Sequence, residues 1–167
     1  MSQKKVAVIM GSDSDFPVVR KAGEVLKEFG IPFEMRVLSA HRSPVQVAEF
    51  ARSAADNGFG VIIAAAGMAA HLAGAIAGNT TLPVIAIPVK AKALEGVDAL
   101  LSSVMMPPGV PVATVGIDGA ANAGHLAAQI LALGDAELTQ KLADFRRRQN
   151  EKNLEADRKM QQTAKEI

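Results

Sequence analysis

The chain has 167 residues, which is enough for one ordinary domain with an apolar core and too few for two domains of usual size. Its 18 lysine and arginine residues nearly balance 17 acidic residues, so no broad electrostatic field favours nucleic acid or a membrane surface as a partner, and an anionic ligand must be held locally. The absence of cysteine excludes disulfides and thiolate metal sites and suits a reducing, cytoplasmic location.

Five short apolar segments, each followed by a turn and a helix-like segment, predict an α/β fold with a mostly parallel sheet. The first follows two lysines, but it is too short for a signal peptide and predicts a strand. Most of these segments lack period-two alternation, as is typical of parallel strands that helices cover on both faces. The strands are predicted at 5–10, 33–38, 61–65, 83–87 and 111–115.

The stretch 58–78 is nearly uncharged and approaches the length of about 20 residues that a membrane span needs. However, it consists mostly of alanine and glycine, contains His71, and lacks flanking basic residues or an aromatic belt. We therefore expect a buried strand and a tightly packed helix here, not a membrane segment.

The helices are marked by apolar stripes and by their ends. Residues 16–29 place apolar side chains on one stripe, and Gly30 followed by Pro32 stops that helix. A second helix at 43–56 has Ser43 as the predicted N-cap and Pro44 at its first position. Further helices are predicted at 94–104 and 120–133.

After Gly134 the sequence predicts one long, highly charged helix from 135 to about 159. Its short apolar stripe of Leu138, Leu142 and Phe145 fits either a solvated terminal helix or one that reaches a neighbouring subunit. We expect one domain at 1–167, with an α/β core at 1–134 and a helical extension at 135–167. The predicted fold is a flavodoxin-like three-layer α/β/α sandwich with strand order 2-1-3-4-5 and a long C-terminal helix.

In such a sheet, ligands bind beyond the carboxyl ends of the strands where the winding direction reverses. The predicted order makes strands two, one and three neighbours at that point. The loops that leave these strands are the most polar or glycine-rich strand exits of the chain. They span 11–15, 39–42 and 66–71.

The first loop, GSDSD, combines glycine, hydroxyls and carboxylates at a helix N-terminus, where free amides suit a phosphate. An N-capping turn without a ligand explains the same residues.

In the second loop, His41 and Arg42 precede a well-capped helix that does not need them for packing. Arginine binds phosphate through two hydrogen bonds and histidine exchanges protons near neutral pH, although an exposed pair without function is an alternative.

The third loop offers backbone amides from small residues, which can surround a flat ring or a small carboxylate. His71 either faces this site or is a buried histidine with a satisfied ring. His125 lies in an alanine-rich helix and is expected to be structural or exposed. A metal site is not expected, because no two histidines share a helical face and neither HxH nor HExxH occurs.

At these loops the sequence closely resembles the N5-carboxyaminoimidazole ribonucleotide mutase family, also called the catalytic subunit of phosphoribosylaminoimidazole carboxylase. The likeness runs from residue 6 to about residue 133. It is carried by MGSDSD, VLSAHRSP, AAHLAG, LPVIAIPV, GVPVATVGI and NAG, in this order.

The resemblance implies a cofactor-free isomerase of purine biosynthesis that acts on a small imidazole ribonucleotide, assembled as a homo-octamer with sites shared between subunits. His41 would be the general acid and base. Ser12, Ser39 and Arg42 would hold the phosphate, and Asp15 the ribose hydroxyls. Ser14 and the backbone of Gly67, Met68, Ala69 and Ala70 would contact the base and its carboxylate. The resemblance also places Arg42 and His71 with the mutases and not with the carboxylases of the family.

Two other functions remain open at this point. One is a direct carboxylase that acts on aminoimidazole ribonucleotide with free carbon dioxide. The other is a non-catalytic, flavodoxin-like nucleotide-binding domain. Flavin binding is not favoured, because the chain has no tryptophan or tyrosine to stack on the ring.

Overall fold

The computed structural model of the protein describes residues 3–165. Its five strands form one sheet with the order β2-β1-β3-β4-β5, in which every neighbouring pair is parallel. The predicted sheet order is therefore confirmed. The strands are β1 (Lys5–Met10), β2 (Phe33–Val37), β3 (Phe59–Gly67), β4 (Val84–Val89) and β5 (Ala113–Thr114).

Helices cover both faces of the sheet and bury the alternate side chains of each central strand. The helices are α1 (Phe16–Glu28), α2 (Pro44–Ser53), α3 (Leu72–Ala77), α4 (Val97–Val104), α5 (Ala120–Ala132) and α6 (Ala136–Ala164). Apolar residues of α1, α5 and the start of α6 pack on one face, and those of α2 and α3 pack on the other. This arrangement is the predicted three-layer α/β/α sandwich.

The central strands are apolar throughout because both of their faces are covered. In β1, Val6 and Val8 face the core under α1 and α5, while Ala7 and Ile9 face the core under α2 and α3. Helix α1 packs closely on α5 at Gly124, where a Cβ atom would lie 2.9 Å from the Ala22 carbonyl oxygen. A side chain at position 124 would therefore push the two helices apart.

Some predicted boundaries were wrong, for reasons that the structure shows. Strand β3 is longer than expected because β1 and β4 pair with it on either side. Strand β5 is only two residues long and pairs with β4 alone. Helix α4 begins three residues later than predicted, because Glu95 and Gly96 have left-handed backbone conformations, with φ of +55° and +91°.

The long C-terminal helix is confirmed, and it extends to Ala164. Its Leu138 is buried, and Leu142 and Phe145 pack against the same core.

The His125 ring lies against the rings of Phe29 and Phe145, and this partial burial lowers the pKa of His125. Residues 146–165 are exposed along their whole length. Residues 166–167 of the predicted extension lie outside the described residues, and the assignment of one domain to 1–167 stays a prediction.

Candidate active site

A cavity of about 530 Å³ opens at the carboxyl ends of β1, β2, β3 and β4. The parallel pairing brings these strand ends to one edge of the sheet, as the predicted topology requires. Ten of the eleven residues predicted for the site line this cavity. They are Ser12, Ser14, Asp15, Ser39, His41, Arg42, Gly67, Met68, Ala69 and His71.

Ala70 is the predicted residue that the structure does not place on the cavity wall. The residue is 2% exposed and belongs to the interior. The chain turns at Met68, whose φ is +55°, and the His71 amide then donates to the Ala69 carbonyl at 2.9 Å. This tight turn presents Met68, Ala69 and His71 to the cavity and leaves Ala70 buried.

The loop after β1 forms a short 3-10 turn, Asp13–Asp15, that leads directly into α1. The Ser14 amide donates to Ser12 Oγ at 3.3 Å, and the Ser14 hydroxyl lies 2.8 Å from the same oxygen. Ser12 therefore caps this turn, as the alternative interpretation of the loop expected. Its hydroxyl and that of Ser14 also line the cavity, so the capping role and a ligand-binding role are compatible.

The loop after β2 is held together by its two serines. Ser43 is the N-cap residue of α2, but its hydroxyl does not bond the helix amides. Instead it accepts from the Ser39 amide at 2.9 Å and donates to the Ser39 carbonyl at 3.1 Å. The Arg42 amide donates to Ser39 Oγ at 3.2 Å. These bonds fix the direction in which His41 and Arg42 leave the loop.

Arg42 ties this loop to the loop after β1. Its Nη2 atom donates to the Gly11 carbonyl at 2.6 Å. One guanidinium nitrogen is thus used to position the side chain over the end of β1. The guanidinium has five N–H donors, so others remain for an anion in the cavity.

His41 and His71 meet across the cavity although they are far apart in the chain. His41 Nε2 lies 2.8 Å from His71 Nδ1, and the two rings are nearly perpendicular at 84°. At this distance one nitrogen must carry the hydrogen and the other must accept it. The facing nitrogens therefore share one hydrogen, so the tautomer of one ring fixes which facing nitrogen of the other ring donates or accepts.

Asp15 lies beside these groups and is partly buried. Burial raises the pKa of its carboxyl, and the charge of Asp13 acts in the same direction. A hydrogen bond from the Ser12 backbone and the positive charge of Arg42 oppose this rise in the pKa. Without a ligand, the ionised Asp15 carboxylate therefore lowers the free energy of unfolding. A ligand hydroxyl that donates a hydrogen bond to the carboxylate would reduce this destabilisation.

The loop that follows β4 also lines the cavity, although it is not among the predicted site loops. Val89, Lys90 and Ala91 lie on the side of the cavity away from β2. The predicted topology implies this position, because β4 lies next to β3 and its carboxyl end must fall at the same edge of the sheet.

Within residues 3–165, no group of three or more histidine, cysteine or acidic side chains is arranged to hold a metal ion. Over the same described range, no helix combines the length and apolarity that a membrane crossing requires.

Comparison with known proteins gives consistent matches along the chain. A family model described as AIR carboxylase matches residues 5–152. The N5-carboxyaminoimidazole ribonucleotide mutase of Pyrococcus abyssi is 56% identical over 142 residues, which is 85% of this chain and 82% of that protein. The protein of the same name from Methanocaldococcus jannaschii is 51% identical over 160 residues, covering 96% of this chain and 99% of that protein.

A solved structure has the same fold as this chain. The crystal structure of Treponema denticola PurE superposes with a TM-score of 0.86 at 30% sequence identity. The alignment covers 94% of this chain and 98% of that chain. The agreement therefore includes most of the long C-terminal helix as well as the sheet.

We expect the Asp15→Asn variant to be slightly more stable than the wild type at pH 7.5. Folding raises the pKa of this carboxyl above its unfolded value of about 3.9, so its ionisation opposes folding above that pH. The gain should shrink toward pH 2.5, where the carboxyl is almost fully protonated in both states. Thermal denaturation at both pH values measures it, with the exposed Asp56→Asn as the control. An Asp15→Asn variant less stable than wild type at pH 7.5 would contradict this account of the site.

Proposed function

The chain belongs to the AIR carboxylase family, and from this membership we propose that it is an isomerase with N5-carboxyaminoimidazole ribonucleotide mutase activity. The observation that carries the proposal is 51% identity to a mutase over nearly the full length of both chains. The reaction moves a carboxyl group from the exocyclic nitrogen of the imidazole ribonucleotide to ring carbon 4, a step in the synthesis of purines.

His41 is the general acid and base of this reaction. As the acid, it gives a proton to the carbamate nitrogen, the bond between nitrogen and the carboxyl carbon breaks, and carbon dioxide leaves. Ring carbon 4 of the resulting amine then attacks carbon dioxide and forms the new carbon–carbon bond. His41 finally removes the proton from carbon 4, so the proton that it donated is restored.

The hydrogen bond to His71 supports this role for His41. A single residue must be protonated in the first step and unprotonated in the last. His71 Nδ1 lies 2.8 Å from His41 Nε2. His71 can therefore donate a hydrogen bond to His41 in one step of the reaction and accept one from it in another. The enclosing loops keep carbon dioxide close to carbon 4, where proximity favours recapture over escape.

The rest of the nucleotide extends along the line of strand ends. Ser12, Ser39 and Arg42 hold the phosphate, because two hydroxyls and a guanidinium line the same cavity and Arg42 reaches the end of β1. Asp15 accepts from the ribose hydroxyls. Ser14 and the backbone of Gly67, Met68 and Ala69 contact the base and its carboxylate. Ala70 is left out of this set because it is buried.

The mutase is favoured over the two other functions that the sequence left open. Arg42 and His71 both belong to the mutase pattern in the family resemblance, and both line the cavity. A domain that only binds a nucleotide would not need a pair of histidines at hydrogen-bond distance beside a phosphate site. The proposed steps move only protons and carbon dioxide and change no oxidation state, so we propose that the enzyme works without a cofactor. We place it in the cytoplasm, which the lack of cysteine suits.

The chain assembles as a homo-octamer, and two exposed surfaces support this. On α4, Val97, Leu101 and Val104 form an apolar stripe that is about half exposed, and Met105 continues it. Helix α4 follows the loop after β4, so the stripe begins close to the cavity. The second surface is the exposed half of α6, which carries Leu154 and Met160. A neighbouring subunit that covers these side chains would remove apolar surface from water.

The His41→Asn and Arg42→Ala variants separate chemistry from binding. Asparagine cannot exchange a proton, so His41→Asn should bind the nucleotide and lose turnover by about 100-fold or more. Phosphate contacts act equally in the ground and transition states, so Arg42→Ala should raise KM much more than it lowers kcat. Steady-state kinetics and nucleotide titration measure these effects.

Arg20→Ala is the matched control, because Arg20 is an exposed arginine of α1 outside the cavity. It should leave both kinetic constants unchanged. Full activity of His41→Asn at neutral pH would remove His41 from the mechanism, and an unchanged KM for Arg42→Ala would remove the phosphate clamp.

For the assembly, we expect Leu101→Lys to shift the protein to smaller species by placing a charge in the α4 stripe. Leu101→Met keeps the size and apolarity and should leave the octamer intact. Deletion beyond Gly134 should also weaken the assembly, but it is a poorer test because it removes the buried Leu138 from the subunit core. Light scattering at micromolar concentration gives the mass, and a monodisperse wild-type monomer would overturn the proposal.

A further inference from the structure

Methionine supplies all of the sulfur in this chain, which has seven methionines and no cysteine. Thioethers are therefore the side chains that a peroxide oxidises most readily here, because no thiolate competes for the oxidant. Oxidation turns a flexible apolar side chain into a polar, chiral sulfoxide, and specific reductases restore the thioether. What this oxidation does to the protein depends on where each methionine lies.

Burial divides the six methionines of the described residues 3–165 into two groups. Met10 is buried in the core, and Met35 packs against α1, where its methyl group occupies the space that a Cβ atom at Gly23 would need. Met106 packs on α3, with its sulfur 3.3 Å from the place of a Cβ atom at Gly74. The exposed methionines are Met68, Met105 and Met160, which are 65%, 78% and 67% exposed.

Met68 is the exposed methionine of the described chain that lines the active-site cavity. It directly follows Gly67, the last residue of β3, and has φ of +55°. This left-handed turn leaves Met68 at the cavity wall and open to solvent. Met105 lies at the end of α4 and Met160 lies in α6, and neither lines the cavity. Peroxide that enters the cavity therefore meets the thioether of Met68.

Met68 shares its turn with a residue that the proposed reaction uses. The His71 amide donates to the Ala69 carbonyl at 2.9 Å, so Met68 and His71 belong to one tight turn. The backbone beside this turn is closely packed, because a Cβ atom at Gly67 would lie 3.1 Å from the Val89 carbonyl oxygen. A sulfoxide adds a hydrogen-bond acceptor to the cavity wall, and a bound nucleotide that covers this acceptor would remove it from water. Oxidation at Met68 should therefore weaken nucleotide binding.

We propose that Met68 is a modification site at which hydrogen peroxide reversibly inactivates the enzyme. In this step the thioether sulfur gives two electrons to the peroxide, the O–O bond breaks, one oxygen becomes the sulfoxide oxygen, and the other leaves as water. Reduction by a thiol-dependent reductase returns two electrons to the sulfur and releases the oxygen as water. The inference goes beyond the proposed function and rests on it only for the nucleotide whose binding is measured.

The test treats the full-length protein with graded hydrogen peroxide and maps sulfoxide at each methionine by peptide mass spectrometry. Calorimetric titration then measures the affinity for the nucleotide carboxylated at ring carbon 4. The wild type should bind this probe about tenfold more weakly once Met68 is fully oxidised, because the sulfoxide oxygen loses its water under the ligand. The two methionine sulfoxide reductases, one for each epimer, should restore the affinity. Bound nucleotide should slow oxidation of Met68 and leave the oxidation of Met160 unchanged.

Met68→Leu keeps an apolar side chain of similar size and cannot form a sulfoxide. After peroxide, its affinity should equal its own value before treatment. Met105→Leu and Met160→Leu are the matched controls, because each removes an exposed methionine outside the cavity, and both should lose affinity as the wild type does. In the double variant that carries both control substitutions, the loss should follow the fraction of oxidised Met68, which tests the site without altering Met68 itself.

Several results would overturn the inference and leave the mutase proposal in place. They are an equal loss of affinity in Met68→Leu and the wild type, an unchanged affinity when Met68 is fully oxidised, and oxidation of Met68 that is no faster than that of the buried Met10. Untreated wild-type protein that does not bind the nucleotide would instead overturn the proposed function, and the inference with it.

Discussion

The parallel pairing of β1 with β2 and β3, and of β3 with β4, is the constraint on which the candidate active site depends. Parallel strands place all of their carboxyl ends at one edge, so loops that are far apart in the chain meet there. The pairing itself depends on strands that are apolar on both faces, because two helical layers must bury them. The sequence of the core thus determines where the polar loops converge, although it takes no part in the chemistry.

Three contacts between loops turn this convergence into a defined site. Arg42 of the second loop bonds the Gly11 carbonyl of the first, His41 bonds His71 of the third, and Asp118 bonds the amide of Lys90. Each contact joins residues from separate loops and uses one polar group for positioning while others face the cavity. Asp118 is the side chain among these partners that does not line the cavity, so its substitution should change the site without removing a group that contacts the substrate.

The strand order and the location of the site could be predicted because they follow from local patterns, namely apolar strands and polar loops in alternation. Ser12, His41 and Arg42 could be placed at this edge because the loops that carry them leave neighbouring parallel strands. The bond between His41 and His71 could not be predicted, because it depends on side-chain directions set by the turn at Met68 and by the bonds between Ser39 and Ser43. Ala70 was placed in the site because sequence alone does not show that this turn buries it. Lys90 does not stand out in the sequence because its neighbours Val89 and Ala91 are apolar, and β4 lies beyond the point where the winding reverses.

In the proposed reaction, carbon dioxide is released and recaptured within one site beside His41. The most direct measurement supplies the carbamate nucleotide with an isotopic label in its carboxyl carbon and lets the enzyme turn it over in unlabelled bicarbonate. We expect most of the label to appear in the carboxylate at ring carbon 4, because recapture is faster than escape. Product that carries mainly the solvent carbon would contradict it, and a rate that rises with bicarbonate when the uncarboxylated nucleotide is supplied would identify a direct carboxylase instead.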